Sequence, residues 1–141
     1  MAKWTPFPHA GDYPFDAASV KKHWARLHGG DAEPCPKDAA VLGAWALFHS
    51  GEFEKAAAAG LAAGGAGITA ANKATSIYAN YLEPKESQRL SLLMAVAERA
   101  QAQQARQPEC INAWYWQAYA LGRYSQGISV AKALAEGLGT R

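Results

Sequence analysis

Charge is what this chain has least of. Only 18% of its 141 residues are Asp, Glu, Lys or Arg, against about a quarter in an ordinary domain, and the two signs nearly cancel at +2. A broad single-signed field is therefore missing, and nucleic acid and anionic membrane surfaces are not expected partners. Cysteine is as scarce. Cys35 and Cys110 stand far apart with no CxxC and no Cys/His cluster, which fits a reducing compartment or two buried thiols better than a disulfide framework. Long hydrophobic runs are lacking too: "AAAAGLAAGGAG" is built of small residues and broken by glycine, so it cannot span a bilayer. The opening "MAKWTPFPHAGDYPFD" carries three prolines and acidic residues where a secretory signal needs an unbroken apolar stretch. A soluble, cytoplasmic protein is expected.

What the chain does have is alanine, glycine and aromatics, with half of its residues hydrophobic, enough for one ordinary core. Residues 1–15 read as an extended, proline-punctuated arm whose Trp4, Phe7, Tyr13 and Phe15 are laid against something apolar. Asp16 is a helix cap, and a helix to about His28 places Ala17, Val20, Trp24 and Leu27 on one stripe. From Lys37 onward helical patterns dominate, interrupted at Ser50-Gly51, Gly64 to Gly67, Glu83-Pro84, Pro108-Glu109 and Gln126-Gly127. No hairpin or βαβ pattern intervenes. The spacing predicts an all-α fold of about seven helices.

Reactive groups are not gathered in sequence. His9, His23, His28 and His49 fall in four different elements with neither an HExxH motif nor an i, i+4 pair, so no metal site is expected. Cys35 lies between two prolines and Cys110 at a helix start, each without a partner base in sequence. Glu52, Glu54 and Asp38 suit helix starts, where the macrodipole favours negative charge. "AGGAGI" could mimic a phosphate-cradling nest but lacks the Lys-Ser ending of a P-loop and a preceding strand, so it reads as a loose connecting loop. No catalytic residue and no cofactor is expected.

An internal similarity organises the rest. Ala44-Trp45-Ala46-Leu47 aligns with Ala118-Tyr119-Ala120-Leu121 at an offset of 74 (118 − 44), and Lys55 to Leu61 aligns with Lys132 to Leu138 at 77 (132 − 55). Half of that offset is close to the roughly 34-residue period of a two-helix repeat. The chain thus divides into residues 1–36, the aromatic arm and first helix, and residues 37–141, three helix pairs at 37–65, 68–107 and 110–138.

"GAWALFHSGEFEKAAAAGLAA" resembles a tetratricopeptide (TPR) repeat, with small Ala44, Leu47 one turn on, then Gly51, Phe53 and Ala56 around the turn. "NAWYWQAYALGRY" resembles the start of another, with Trp114, Ala118 and Leu121 in the bulky, small and apolar slots and Pro108 closing the preceding repeat. Residues 68–107 match weakly, and "SQGIS" departs from the family's turn. The run as a whole is also similar to bacterial TPR proteins of the TRAP-transporter TatT-like and microtubule-dynamics-regulator-like groups. The resemblance implies antiparallel helix pairs stacked as a right-handed solenoid. Such chains are longer, so the last apolar face is expected to continue in a longer chain or to pair with another molecule.

In a stacked array Trp114, Tyr115 and Trp116, pointing three ways, can all be covered, with Trp114, Ala118 and Leu121 facing neighbouring helices. Tyr115, Tyr119 and Arg123 form a second stripe, matched by Val41, Trp45 and His49 in the first pair. The resemblance places that stripe on a concave, ligand-binding groove. The implied function is a non-enzymatic scaffold that holds a protein or peptide, with Trp45, His49, Asn112, Tyr115, Tyr119 and Arg123 as contact residues. Three alternatives stand beside it. The aromatics could complete the core or meet the arm, the molecule could be a small-molecule-binding accessory component resembling TatT, or it could self-associate as a homodimer through its last helix pair or an exchanged arm.

Overall fold

The computed structural model describes residues 3–135 and is helical, with no strand among them. Seven helices follow one another: α1 (Ala17–Lys22), α2 (Trp24–Leu27), α3 (Ala39–His49), α4 (Phe53–Ala63), α5 (Gly67–Tyr81), α6 (Glu86–Arg106) and α7 (Ile111–Ala135). No described helix is long and apolar enough to cross a membrane.

Local chemistry starts the helices where the sequence marks them. The Asp16 side chain accepts from the Ser19 N–H while the Ser19 hydroxyl accepts from the Asp16 N–H, a reciprocal capping box. Asp38 caps α3 by accepting from the amides of Ala40 and Val41. The first helix is shorter than expected: it breaks at His23, whose backbone leaves the helical basin (φ −102°, ψ 14°), and resumes as α2 with Trp24 buried.

Packing follows chain order. Each of α3 to α7 lies against the next, α3 also meets α5, α5 also meets α7, and α3 and α7 do not approach one another. Alanine makes this possible: Ala44, Ala56, Ala70, Ala71, Ala74, Ala79, Ala100 and Ala120 are all fully buried, and small side chains let helix axes come close. A Cβ on Gly60 would collide with the Gly67 carbonyl oxygen, so the end of α4 and the start of α5 lie in close contact, while a Cβ on Gly64 in the loop between them would meet nothing.

The arm is fastened down. Trp4 is buried and stacks on Tyr78 with ring centres 4.4 Å apart, and the Thr5 N–H donates to the Tyr78 hydroxyl at 2.8 Å. Phe7 meets Phe53 and Phe15 meets His49. Tyr13 is 75% exposed and does not join them.

Two expectations for the last unit are corrected. The turn expected at Gln126-Gly127 does not form, so the 110–138 pair is a single helix as far as Ala135, and residues 136–138 lie outside the described part. Gly127 serves close approach instead: a Cβ there would lie 2.5 Å from Leu90 Cδ2, so the glycine lets α7 continue along the long α6. The buried stripe of α7 is Ala113, Trp116 and Ala120, whereas Trp114, Ala118 and Leu121 are exposed. Burial therefore pairs Ala44 with Ala120, an offset of 76 (120 − 44), and the helix is turned away from the orientation inferred from its Trp114 spacing.

Candidate functional site

The residues singled out from sequence fall into two places. Trp45, His49 and Asn112 belong to an enclosed polar junction, while Tyr115, Tyr119 and Arg123 share an outer face of α7.

The junction is built by the segment after α2. His28 Nδ1 lies 3.0 Å from Asp31 Oδ1, and Lys73 of α5 donates to Asp31 Oδ2 at 2.8 Å. His49 of α3 meets His28 through their Nε2 atoms at 2.9 Å. Asn112 of α7 donates to the Asp31 carbonyl oxygen at 3.1 Å and to Glu33 Oε1 at 2.7 Å, and the Trp24 indole donates to the Glu33 carbonyl oxygen at 2.7 Å. One short loop thus ties together the three helices α3, α5 and α7. Ala32 sits at φ +53°, a conformation L-residues rarely adopt, held by these surrounding bonds.

Electrostatics fix the protonation state. Burial lowers the pKa of His28 despite the opposing pull of Asp31. His49 is lowered to about 4, first by burial and then by His28 and Lys73. Both rings are neutral near pH 7. With Nδ1–H of His28 donating to the Asp31 carboxylate, its Nε2 must accept, so His49 carries its proton on Nε2 and donates. Burial works against the Asp31 charge, but the Lys73 hydrogen bond and the Glu33 N–H outweigh it and hold the carboxyl below its ordinary range. Glu33 is raised by burial, with the Asn112 bond opposing.

Trp45 cannot present itself to an open groove. Its side chain is fully enclosed, edge-on to Trp24 at 5.8 Å, with the Lys73 ammonium 5.8 Å from its ring centre. Helices α1 and α2 cover the surface that the repeat alignment left open. Asn112, also buried, is a staple and not a contact at a groove mouth. The spacing of histidines gave no sign that His28 and His49 would meet, because their pairing depends on how the 28–36 loop folds back over α3. Asp31, Glu33 and Lys73 were likewise not singled out, since nothing local sets them apart from solvated charges. Among the described residues no group of three or more His, Cys, Asp or Glu is placed to hold a metal ion.

The α7 face is different in kind. Tyr115 is 52% exposed and lies beside Tyr119, with ring centres 6.3 Å apart. Arg123 is exposed, its guanidinium carbon 5.5 Å from the Tyr119 ring centre. The Tyr119 hydroxyl is enclosed and makes no hydrogen bond, and burial pushes its pKa up, with Arg123 opposing and Tyr81 of α5 adding to the rise. Tyr81, 68% exposed, extends the aromatic ribbon onto α5. Such a surface can supply large apolar contact at low entropic cost, plus a planar cation for carboxylates.

The chain matches no protein-family model, no curated protein and no solved structure.

Proposed function

We propose that the chain is a non-enzymatic interaction module, a TPR-like solenoid whose first helices α3, α5 and α7 hold an extended peptide or protein segment. The observation that carries this reading is the ribbon of Tyr81, Tyr115, Tyr119 and Arg123, which exposes aromatic surface and, in one strip, a guanidinium that donates to Gln126 Oε1 at 3.5 Å and meets no carboxylate among the described residues. The consecutive packing of helices, with α3 on α5 and α5 on α7, supports a linear array in which these residues share a face. The 28–33 loop already covers part of α3, α5 and α7 around Lys73 and Asn112, so a ligand would lie beyond it, against Tyr115 to Arg123. The matching partner is an extended segment carrying apolar side chains and a carboxylate.

The test is a peptide array spanning acidic and apolar sequences, probed with the wild type and with the Tyr119→Ala/Arg123→Ala double variant. Loss of about tenfold or more in affinity for bound peptides is expected, the size seen when hot-spot aromatics and arginines are truncated. Equal binding by both proteins would remove these positions from the site.

One observation favours a second reading, self-association. Ile111, Trp114, Ala118, Leu121 and Ile128 fall on α7 at heptad-like spacing, and the large residues among them are 40 to 79% exposed. Sedimentation equilibrium decides: a strict monomer at high concentration eliminates it.

A further inference from the structure

Arg99 is a half-buried charge. It projects from α6 into the contact with α5, where Nε donates to Asn72 Oδ1 at 3.0 Å and Nη2 donates to Thr75 Oγ1 at 3.1 Å. Both partners are neutral. Among the described residues the ion pairs between Lys or Arg and a carboxylate are Lys73–Asp31 and Arg89–Glu86, and neither involves Arg99. A cation partly withdrawn from water without a counter-ion is costly, and burial accordingly pulls its pKa down.

This guanidinium borders a cavity of about 220 Å³ between α6 and the turn that precedes α5. Arg106, two turns further along α6, borders it as well, and no carboxylate lines it. Between the two arginines stands Gln103, only 3% exposed. Its Nε2 is occupied, donating to Thr69 Oγ1 at 3.0 Å and Gln107 Oε1 at 3.1 Å, but its Oε1 accepts nothing. A buried acceptor without a donor is anomalous, and the residue that carries it lines the same cavity as Arg99. Ile68, in the first turn of the 15-residue α5, adds an apolar patch close to the positive end of that helix.

We propose that this cavity binds a small organic anion. Its carboxylate or phosphate meets Arg99 and Arg106, and its carbon skeleton rests on Ile68. The volume admits roughly seven water-sized groups at about 30 Å³ each, which sets the ligand to a few carbons. The site is separate from the aromatic ribbon of α7 and stands whether or not that ribbon binds peptides.

The probes are inorganic phosphate, glycolate and acetate, titrated into the whole protein while amide resonances are followed by ¹H–¹⁵N NMR. Saturable shifts at Gly65, Ile68 and Gln103 are expected with phosphate or glycolate, and which of the two binds tighter identifies the headgroup. Arg106→Gln, at an exposed position that spares the fold, should weaken binding about tenfold, the loss of one charge-assisted hydrogen bond. No saturation with phosphate, glycolate or acetate, or saturation untouched by Arg106→Gln, overturns the proposal.

Discussion

Replacing His49 with phenylalanine isolates the electrostatics of the polar junction. In the unfolded chain the imidazole has its ordinary value of 6.5, and in the folded protein it is held at about 4, chiefly by burial. Above pH 6.5 both states are neutral and the ring contributes no pH dependence. As the pH falls below 6.5 the unfolded state takes up a proton that the folded state refuses, so stability declines and the loss is complete only below about 4. Between pH 7 and 5 a wholly enclosed ring would lose about 2 kcal/mol, and because His49 is half-buried the expected loss is about 1 kcal/mol. Urea unfolding at the two pH values measures it. The wild type should lose about 1 kcal/mol more than His49→Phe across that interval, even though the variant is less stable at both because His28 Nε2 loses its donor. Asp31, lowered from 3.8, acts below this window. Glu33, raised from 4.5, opposes the loss in both proteins alike. Parallel pH profiles for the two proteins would refute the neutral His28–His49 pair.

Three further outcomes test the packing. Gly60→Ala should lower stability by about 2 to 3 kcal/mol, read as a fall in Tm, because the new methyl meets backbone at Gly67 that cannot step aside. Gly127→Pro should cost about 3 kcal/mol and reduce the helical signal at 222 nm if α7 is continuous; a neutral result would mean that the chain turns there after all. Trp4→Ala should cost about 3 kcal/mol in urea and open the arm to limited proteolysis near residues 5–12, whereas unchanged protease resistance would show that the Trp4–Tyr78 stack does not hold it.

The helical class was legible because alanine-rich, strand-free periodicity leaves few other solutions, and Asp16 and Asp38 marked helix starts through chemistry confined to a few neighbouring residues. Around Gln126-Gly127 the same local reasoning misled. A glycine can end a helix or can admit a neighbouring one, and only the position of Leu90 on α6 distinguishes the two uses. The rotation of α7 was hidden for a related reason. Its hydrophobic residues surround the helix, so periodicity names no single inward face, and burial of Ala113, Trp116 and Ala120 is decided by which sides α5 and α6 leave open. Of the candidate site, Tyr115, Tyr119 and Arg123 were reached from spacing along one helix, whereas Trp45 and Asn112 were placed on a surface that distant segments in fact cover.

By itself, then, the sequence determined what depends on neighbours a few residues apart: the helices, the two aspartate caps, most of the breaks, and the aromatic stripe that runs along α7. Tertiary structure alone decided which polar groups meet. His28 with His49, Asp31 with Lys73 and Glu33 with Asn112 are separated by 21 to 79 residues, and Arg99 is left without an anion because α5 offers it only amide and hydroxyl oxygens. Coulombic and desolvation energies depend on distance and burial in space, and neither can be read from position along the chain.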